Sequence, residues 1–523
     1  MSIPAARDPG ALRSRARPRL LAFAWAVSVF SLISSGHVSA QELPVGEWTG
    51  HADFADGVTS EWHLHLWRGA DGLAGDLLFV AGRGFVLDGL SMEDDRLAFS
   101  FGEGGPEPFR CLLERVEAGW AGSCEGPSVS GQVELRRRAE GEHPSYADDG
   151  ANRPRARDAG LVVGVFPPGP LNAITDVAGV QVGHATVRQG DDIRTGVTAI
   201  IPAPGDLYAR PVPAWIHTVN GYGKLIGETQ VREFGEIETP ILLTCTLCVW
   251  SAARGLAWSL MEADPGPEHT INPVVGETND SWLNDMWSDP IGREHVEEAL
   301  GAASSGPVAE GSVGAGTGTT AFGWKGGIGT SSRALPASLG GYTVGVLVQT
   351  NFGGNLTMNG APIGRELGSF SFRGALADSD GAPPSGPEDG GSLMIVVATD
   401  APLTPLTIER LAERAMFGAV RTGSFAHNSS GDYVIAFSTA EDVRRVRFDP
   451  EPRTTPSLLN PNMSPLFAAA AEATEEAIYN AMLRATTVRG RGRVYKALPL
   501  GSTLEILGRY RALRRDRDLP LEP

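Results

Sequence analysis

The sequence lacks an excess of basic residues. Its 523 residues include 44 lysines and arginines against 62 aspartates and glutamates, which gives a formal net charge of −18 at pH 7. Binding to nucleic acid or to an anionic membrane surface depends on cationic side chains, so we expect neither kind of partner. The 42% hydrophobic content is ample for a folded core, and 66 glycines and 37 prolines indicate many turns rather than a helical bundle.

Long hydrophobic runs are also absent beyond the N-terminus. There, four arginines between residues 13 and 19 precede an apolar run over residues 20–33, and Val38-Ser39-Ala40 is a small-x-small cleavage site before Gln41. This order is typical of a secretory signal peptide. The alternative, an uncleaved anchor, needs roughly 20 apolar residues to span a bilayer, more than the run provides. We therefore predict a signal peptide over residues 1–40, a secreted or periplasmic protein, and no stable membrane insertion.

Cysteine is scarce, with four residues in the chain. Cys111 and Cys124 lie close enough in sequence to close a small loop in an oxidising compartment. Cys245 and Cys248 form a C-x-x-C motif inside an apolar run, with no second pair and no histidine pair. This pattern favours two buried thiols over a metal or redox site.

Several catalytic motifs are missing. The glycine-rich residues 311–318 and 325–329 lack the G-x-x-x-x-G-K-[ST] phosphate loop, and no clear strand leads into them as in a dinucleotide-binding motif. There is no G-x-S-x-G nucleophile elbow and no H-E-x-x-H zinc helix. Nucleotide-dependent, ordinary serine hydrolase and zinc peptidase interpretations therefore lose support, and no metal or organic cofactor is predicted.

The chain divides into regions of different texture. Short alternating strands predict a small all-β sandwich or barrel domain over residues 41–137, for which the sequence indicates no chemistry. Residues 138–157 are charged and contain proline, which predicts a solvated linker. Residues 158–515 mix apolar strands with helices, which predicts a layered α/β or α+β domain. Thr404 and Ser464, each followed by proline, are predicted to begin two of its helices.

One junction stands out within the third region. Asp389-Gly390-Gly391-Ser392 leads directly into a continuous apolar strand over residues 393–398, of the kind usually buried at the centre of a sheet. A serine at the head of such a strand is held rigidly, and Gly391 has no Cβ to hinder attack on its carbonyl. Cleavage there produces a serine with a hydroxyl and a new α-amine. The alternative is an ordinary loop-to-strand boundary.

An ordered set of motifs resembles one family across residues 158–510. The motifs are residues 172–184 (NAITDVAGVQVGH), 240–244 (PILLT), 275–284 (VGETNDSWLN), the glycine run 311–318, 348–353 (VQTNFG), 364–367 (GREL), 391–402 (GSLMIVVATDAP), 421–424 (RTGS) and 430–432 (SGD). Together they resemble the DmpA-type aminopeptidases, which comprise L-aminopeptidase/D-esterases and β-peptidyl aminopeptidases. The predicted β-domain lies outside this resemblance.

The resemblance implies a fold and a maturation step. The fold is an α-β-β-α sandwich like that of N-terminal-nucleophile hydrolases, preceded here by the small all-β domain. The chain is expected to be synthesised inactive and to cleave itself between Gly391 and Ser392. The two products are expected to stay associated, and the processed units to assemble as a homo-oligomer, usually a tetramer.

The resemblance also implies residue roles. Ser392 is the expected nucleophile, with its own α-amine or a neighbouring group accepting the proton. Ser430 and Asp432 match a serine and an acidic residue that hold the hydroxyl and orient the ammonium, and Asn351 matches an oxyanion donor. A second set binds substrate: Glu277 is expected to receive the free amine, with Asn279 and Asp280 lining the pocket.

Two positions depart from the family pattern. Cys245 replaces the asparagine of a Leu-Thr-Asn-Thr motif, and Asp432 stands where the family often has glutamate, which has a longer reach. The predicted function is an exported, self-processing serine aminopeptidase acting on short peptides, amides or esters with a free amine. The alternative is a non-catalytic exported scaffold that retains the fold.

Overall fold

The computed structural model describes residues 43–102, 108–139, 142, 145–146, 152–263, 270–373, 376, 391–447, 449–452 and 454–518. The predicted signal peptide therefore lies outside the described residues. The described residues from 44 to 518 belong to one compact unit. None of the helices in the described part combines the length and the apolar character needed to cross a membrane.

The described residues between 46 and 137 form antiparallel strands. These are β1 Gly46–Phe54, β2 Thr59–Gly69, β3 Gly72–Val80, β4 Arg83–Val86, β5 Asp88–Glu93, β6 Arg96–Phe101, β7 Phe109–Val116, β8 Gly119–Glu125 and β9 Ser130–Arg137. Their order is β4-β3-β2-β1-β9-β8-β7-β6-β5. Trp62, Leu64 and Leu66 of β2 are buried on one face, as the alternating sequence predicts. Cys111 and Cys124 face each other across β7 and β8 and form a disulfide.

A hairpin from the C-terminal part of the chain extends this same sheet. It consists of β22 Val488–Gly490 and β23 Arg493–Tyr495, and β23 pairs with β4. An ion-pair cluster around the buried Asp76 and Lys496 lies beside the junction: Lys496 Nζ is 2.8 Å and Arg489 Nη2 is 2.5 Å from Asp76 Oδ2. The two cations hold the pKa of Asp76 below its usual value against the effect of burial. The N-terminal strands are therefore joined to the remainder by main-chain and charged contacts.

Two further sheets carry most of the remaining strands. The six-stranded sheet contains, in order, β13 Glu236–Ile237, β12 Val212–Gly221, β21 Ser430–Ser438, β20 Gly391–Thr399, β19 Thr343–Asn351 and β18 Ile328–Ala334. The four-stranded sheet contains β10 Gln181–Gln189, β11 Ile193–Ile201, β14 Ile241–Cys245 and β15 Val274–Thr278. A short pair consists of β16 Thr320–Ala321 and β17 Trp324–Lys325. β20 is buried from Ser392 to Thr399, as its continuous apolar sequence predicts.

The described helices are α1 Glu228–Phe234, α2 Val249–Ala263, α3 Arg293–Gly301, α4 Ile363–Glu366, α5 Pro405–Arg421, α6 Ser464–Arg484, α7 Leu500–Arg509 and α8 Arg515–Asp518. The Thr404 hydroxyl accepts the Thr407 N–H and caps α5, as predicted. α6 begins at Ser464, with Met463 rather than Ser464 at the cap position. The mixture of strands and helices predicted after residue 158 is confirmed.

Three hydrophobic cores position the sheets and helices. Apolar residues of the six-stranded sheet, including Met394 and Val396, pack against the four-stranded sheet. Residues on the opposite face of β20, including Ile395 and Val397, pack against α5 and α6. Helices α2 and α3 cover the outer face of the four-stranded sheet. β20 is therefore buried on both faces, which fixes the residue at its head.

Two expectations from the sequence are wrong. Arg153, within the predicted solvated linker, is buried and donates to the carbonyl oxygens of Leu483 at 2.7 Å and Leu498 at 2.6 Å. These contacts join two distant segments, which the composition of the linker does not reveal. Cys245 and Cys248 form a disulfide rather than two buried thiols.

Candidate active site

Strand register brings the predicted nucleophile together with its neighbours. Ser392 lies opposite Asn351 in the antiparallel pair β19–β20. In the parallel pair β20–β21, Gly391 lies opposite Ser430 and Ser392 lies opposite Gly431. Because two parallel strands begin at the same edge, their first residues share that edge. Ser392 is 3% exposed, and its Oγ donates to the Gly391 carbonyl oxygen at 2.6 Å.

Glycine is required at position 391 because of a close backbone approach. A Cβ there would lie 2.1 Å from the carbonyl oxygen of Asn351 and 2.7 Å from the Cα of Phe352. Both are backbone atoms of the segment at the end of β19, so they cannot move without displacing that strand. The glycine lets the peptide before Ser392 lie directly against this segment.

Ser430 and Asp432 form a buried pair on the strand beside Ser392. Ser430 Oγ donates to Asp432 Oδ1 at 2.8 Å, and each residue is 1% exposed. Burial raises the pKa of Asp432 to about 6, although the Ser430 hydrogen bond opposes this rise. Aspartate therefore reaches Ser430 despite being shorter than glutamate. Because Ser430 donates to Asp432, the lone pairs of its oxygen can accept a hydrogen bond from another group.

Asn351 is oriented by a backbone contact. Its Oδ1 accepts the N–H of Thr320 at 3.0 Å, and the residue is 6% exposed. This contact identifies the remaining group of the amide as the NH₂ donor. Asn351 lines the same cavity as Ser392.

Glu277 lies in β15, parallel to β14, and its side chain reaches the cavity. The residue is 1% exposed, and its Oε1 accepts the backbone N–H of Lys224 at 3.0 Å. Oε2 is buried and accepts no hydrogen bond of standard geometry from the described residues, although the Thr246 hydroxyl lies near enough to the carboxyl to lower its pKa. Burial raises the pKa of Glu277, while the N–H and the charge of Lys224 oppose this. A buried carboxylate oxygen without a donor is suited to a cationic ligand.

A cavity of about 430 Å³ adjoins Ser392, Asn351 and Glu277. This volume lies within the roughly 300–1,000 Å³ of typical small-molecule sites. Of the predicted residues, Gly391, Ser392, Asn351, Glu277 and Asn279 line it. Ser430 and Asp432 do not, and both are buried on the strand beside Ser392.

The prediction that Asp280 lines the pocket is wrong. It is 2% exposed and accepts a hydrogen bond from Asn284 Nδ2 at 3.0 Å. Burial raises its pKa to about 7. Although adjacent to Asn279 in sequence, Asp280 belongs to the interior.

The sequence did not indicate several lining residues. These are Arg83, Tyr222, Lys224, Thr246, Trp282, Arg493 and Tyr495. In the segment around Lys224, the feature of the sequence that marks a close approach is Gly223. The structure gives the reason: a Cβ at this position would lie 2.8 Å from Glu277 Oε1 and 3.0 Å from the Cα of Gly431. For Arg83 there was no signal, because it lies in strands for which the sequence indicated no chemistry.

Comparison with known proteins identifies the family. A family model, Peptidase family S58, matches residues 172–495. The chain belongs to peptidase family S58. The β-peptidyl aminopeptidase BapA of Sphingosinicella microcystinivorans is 41% identical over 382 residues, which cover 69% of this chain and 94% of that protein. The resemblance to DmpA-type aminopeptidases is therefore confirmed, and the chain is a peptidase.

Solved structures agree with this S58 assignment. A β-aminopeptidase from Burkholderia sp. is 39% identical with a TM-score of 0.61, covering 71% of this chain and 100% of that chain. The L-aminopeptidase D-Ala-esterase/amidase of Ochrobactrum anthropi, described as a prototype for the serine aminopeptidases and a variant of the Ntn hydrolase fold, is 34% identical with a TM-score of 0.61. It covers 69% of this chain and 100% of that chain. Strands β1–β9 precede the residues that the family model matches.

Proposed function

We propose that the protein is an exported, self-processing serine aminopeptidase. It releases N-terminal residues from short peptides, amides or esters through an acyl-enzyme on Ser392. The observation that carries this proposal is the position of Ser392 Oγ, 2.6 Å from the carbonyl oxygen of Gly391 at the head of a central strand. The hydroxyl is thus in contact with the carbonyl group that it has to attack.

Self-cleavage follows from this contact. Ser392 Oγ attacks the carbonyl carbon of Gly391, its proton passes to the Ser392 nitrogen, and the C–N bond breaks as an ester forms. Water then hydrolyses the ester and leaves the Gly391 carboxylate. Ser392 becomes the first residue of the second product, with a free α-amine and a restored hydroxyl.

Substrate hydrolysis uses the same serine. The hydroxyl attacks the substrate carbonyl, and the α-amine or a neighbouring group accepts its proton. The NH₂ group of Asn351 donates to the developing oxyanion. Ser430, held by Asp432, orients the hydroxyl and the new ammonium. Water releases the acyl group in the second half of the reaction.

The substrate amine is assigned to Glu277. Its buried carboxylate lines the same cavity as Ser392, and Oε2 accepts no hydrogen bond of standard geometry there, so a charge-assisted contact with this oxygen selects substrates with a free amino terminus. Asn279, on the same segment, contacts bound substrate. Since the names of two relatives specify β-peptidyl residues, peptides with an N-terminal β-amino acid are the first substrates to test.

The finer structural expectations belong to the same proposal. The catalytic part is an α-β-β-α sandwich, its boundaries fall near residues 158 and 515, and the 41–137 strands form a small domain. The hydrophobic cores on both faces of β20 support the layered arrangement. Export after signal peptide cleavage and assembly into a homo-oligomer, a tetramer of processed units, complete it.

Intact masses and N-terminal sequences of the exported wild type and of Ser392→Ala test the proposal. The wild type should give two fragments, one beginning Ser-Leu-Met-Ile-Val, while the variant should stay uncut. An uncut wild type would contradict self-processing and support the non-catalytic scaffold. Two wild-type fragments accompanied by cleavage of the variant at the same bond would assign the cut to another protease.

A further inference from the structure

The N-terminal strands contribute part of the cavity wall. β4 pairs with β23, and this pairing places Arg83 opposite Tyr495; both residues line the cavity. The adjacent Gly82 donates its N–H to the Gly323 carbonyl oxygen at 3.0 Å and accepts the Lys496 N–H at 2.8 Å. Gly323 also lines the cavity. β4 lies outside the residues that the S58 family model matches, so this part of the wall comes from strands that the model does not include.

The guanidinium of Arg83 is positioned by stacking. Its Cζ lies 3.6 Å from the ring centroid of Trp282, and the Cζ of Arg493 lies 4.3 Å from the same ring. In the part of the chain that the structure describes, no carboxylate forms an ion pair with Arg83. An arginine stacked on an aromatic ring keeps its N–H edge available, and this edge matches a carboxylate in bidentate geometry.

The support beneath Arg83 is rigid. The cluster of Asp76, Lys496 and Arg489 joins β3 to the segment around β23, and both Asp76 and Lys496 are almost completely buried. A buried, paired cluster resists displacement because moving either charge leaves the other unpaired. Arg83 is therefore presented to the cavity in a fixed position rather than on a mobile loop.

The positive and negative groups lie on opposite sides of the nucleophile. In the sheet, β20 lies between β21 and β19. Glu277 belongs to the β21 side, since Gly223 brings its carboxylate and Gly431 of β21 together. Arg83 belongs to the β19 side, because the adjacent Gly82 donates to Gly323 in the turn of the β16–β17 hairpin, and the Thr320 N–H of that hairpin binds Asn351. A substrate that spans Ser392 can thus place a positively charged group at Glu277 and a negatively charged group at Arg83.

We propose that Arg83 binds a carboxylate on the leaving residue of the substrate, and that the enzyme therefore prefers short peptides with a free carboxylate there. The proposal rests on the aminopeptidase function above, with the amine at Glu277 and the scissile carbonyl at Ser392. The carboxylate belongs either to the C-terminus of a dipeptide or to an acidic side chain. In this proposal the N-terminal strands contribute a residue that selects the substrate, and they are not an independent domain with no role at the active site.

Three matched substrates and three variants test this. The substrates are β-alanyl-leucine, its C-terminal amide, and β-alanyl-glutamic acid α-amide, which carries only a side-chain carboxylate. The variants are Arg83→Gln, Arg83→Lys and, as a control on the same group of strands, the exposed Arg110→Gln. Fragment masses and thermal unfolding of each variant establish processing and folding before kinetics are measured.

We expect Arg83→Gln to reduce kcat/KM for a carboxylate substrate about 10- to 100-fold, the usual effect of losing a hydrogen bond to a charged group, mainly through KM. Activity on β-alanyl-leucine amide should change less than about twofold. Arg83→Lys should restore part of the loss and Arg110→Gln should match wild type. A loss restricted to β-alanyl-leucine assigns the site to the α-carboxylate, and one restricted to the glutamate peptide assigns it to the side chain.

Two results separate the possible failures. If the wild type cleaves these substrates and Arg83→Gln affects acid and amide equally, or neither, the assignment of Arg83 is wrong while the aminopeptidase function stands. If the processed wild type cleaves none of the three substrates or other amides with a free amine, the proposed function itself fails and this inference fails with it.

Discussion

Replacing Asn351 with aspartate tests its proposed role as the oxyanion donor. The aspartate Oδ1 can still accept the Thr320 N–H, which lies 3.0 Å from the asparagine oxygen. The change therefore retains the contact that orients the side chain and replaces the NH₂ donor with a second acceptor. Opposite residues of an antiparallel pair have Cβ atoms about 4.5–5.5 Å apart, so this acceptor lies close to Ser392.

The expected magnitude follows from this geometry. Losing one oxyanion donor typically lowers kcat about 10²–10³-fold, or about 2.7–4 kcal/mol of transition-state stabilisation. A carboxylate beside the developing negative charge should place the loss at the upper end of that range. KM should change little, because the donor acts on charge that develops only in the transition state.

The assay measures kcat for β-alanyl-leucine amide per mole of cleaved enzyme, with the cleaved fraction determined by mass. Asn355→Asp is a matched control: its Oδ1 accepts the Ser371 N–H at 3.0 Å, and it does not line the cavity. This control should keep wild-type kcat. A fully processed Asn351→Asp enzyme with less than tenfold loss of kcat, or with a loss confined to KM, would refute the assignment.

Three further predictions concern two buried carboxylates. If ionised Asp432 holds Ser430 for catalysis, the rate of self-cleavage should rise as pH increases through about 6, and Asp432→Asn should lack this titration. The same raised pKa means that the folded state binds more protons than the unfolded chain between the ordinary aspartate pKa and about pH 6. The free energy of unfolding contributed by Asp432 should therefore fall as pH rises through that window, and denaturant titrations of wild type against Asp432→Asn check the sign. Asp76→Asn removes the counter-charge of buried Lys496 and of Arg489, so we expect a destabilisation of about 3–5 kcal/mol by denaturant unfolding; an unchanged midpoint would contradict this.

The sequence by itself determined the local elements and the family. The unbroken apolar run after Ser392 predicts a strand buried on both faces, and β20 has this form. Thr404 before a proline predicts the start of α5, because capping depends on neighbours within one turn. The ordered motifs identified the family because their spacing along the chain can be read without knowing the fold. The strand and the helix start depend on interactions between residues close in sequence, and the family assignment depends on the order of the motifs along the chain.

The tertiary structure decided which distant residues meet. Arg83 reaches the cavity only because β4 pairs with β23, about 400 residues later in the chain, and nothing near Arg83 signals that partner. Arg153 is buried for a similar reason, since its partners are the carbonyl oxygens of Leu483 and Leu498. Such contacts depend on how sheets and strands dock, and one sequence carries no local pattern for them. The position of Ser392 at the head of a buried strand was therefore predictable from the sequence, whereas the wall of the cavity beside it required the fold.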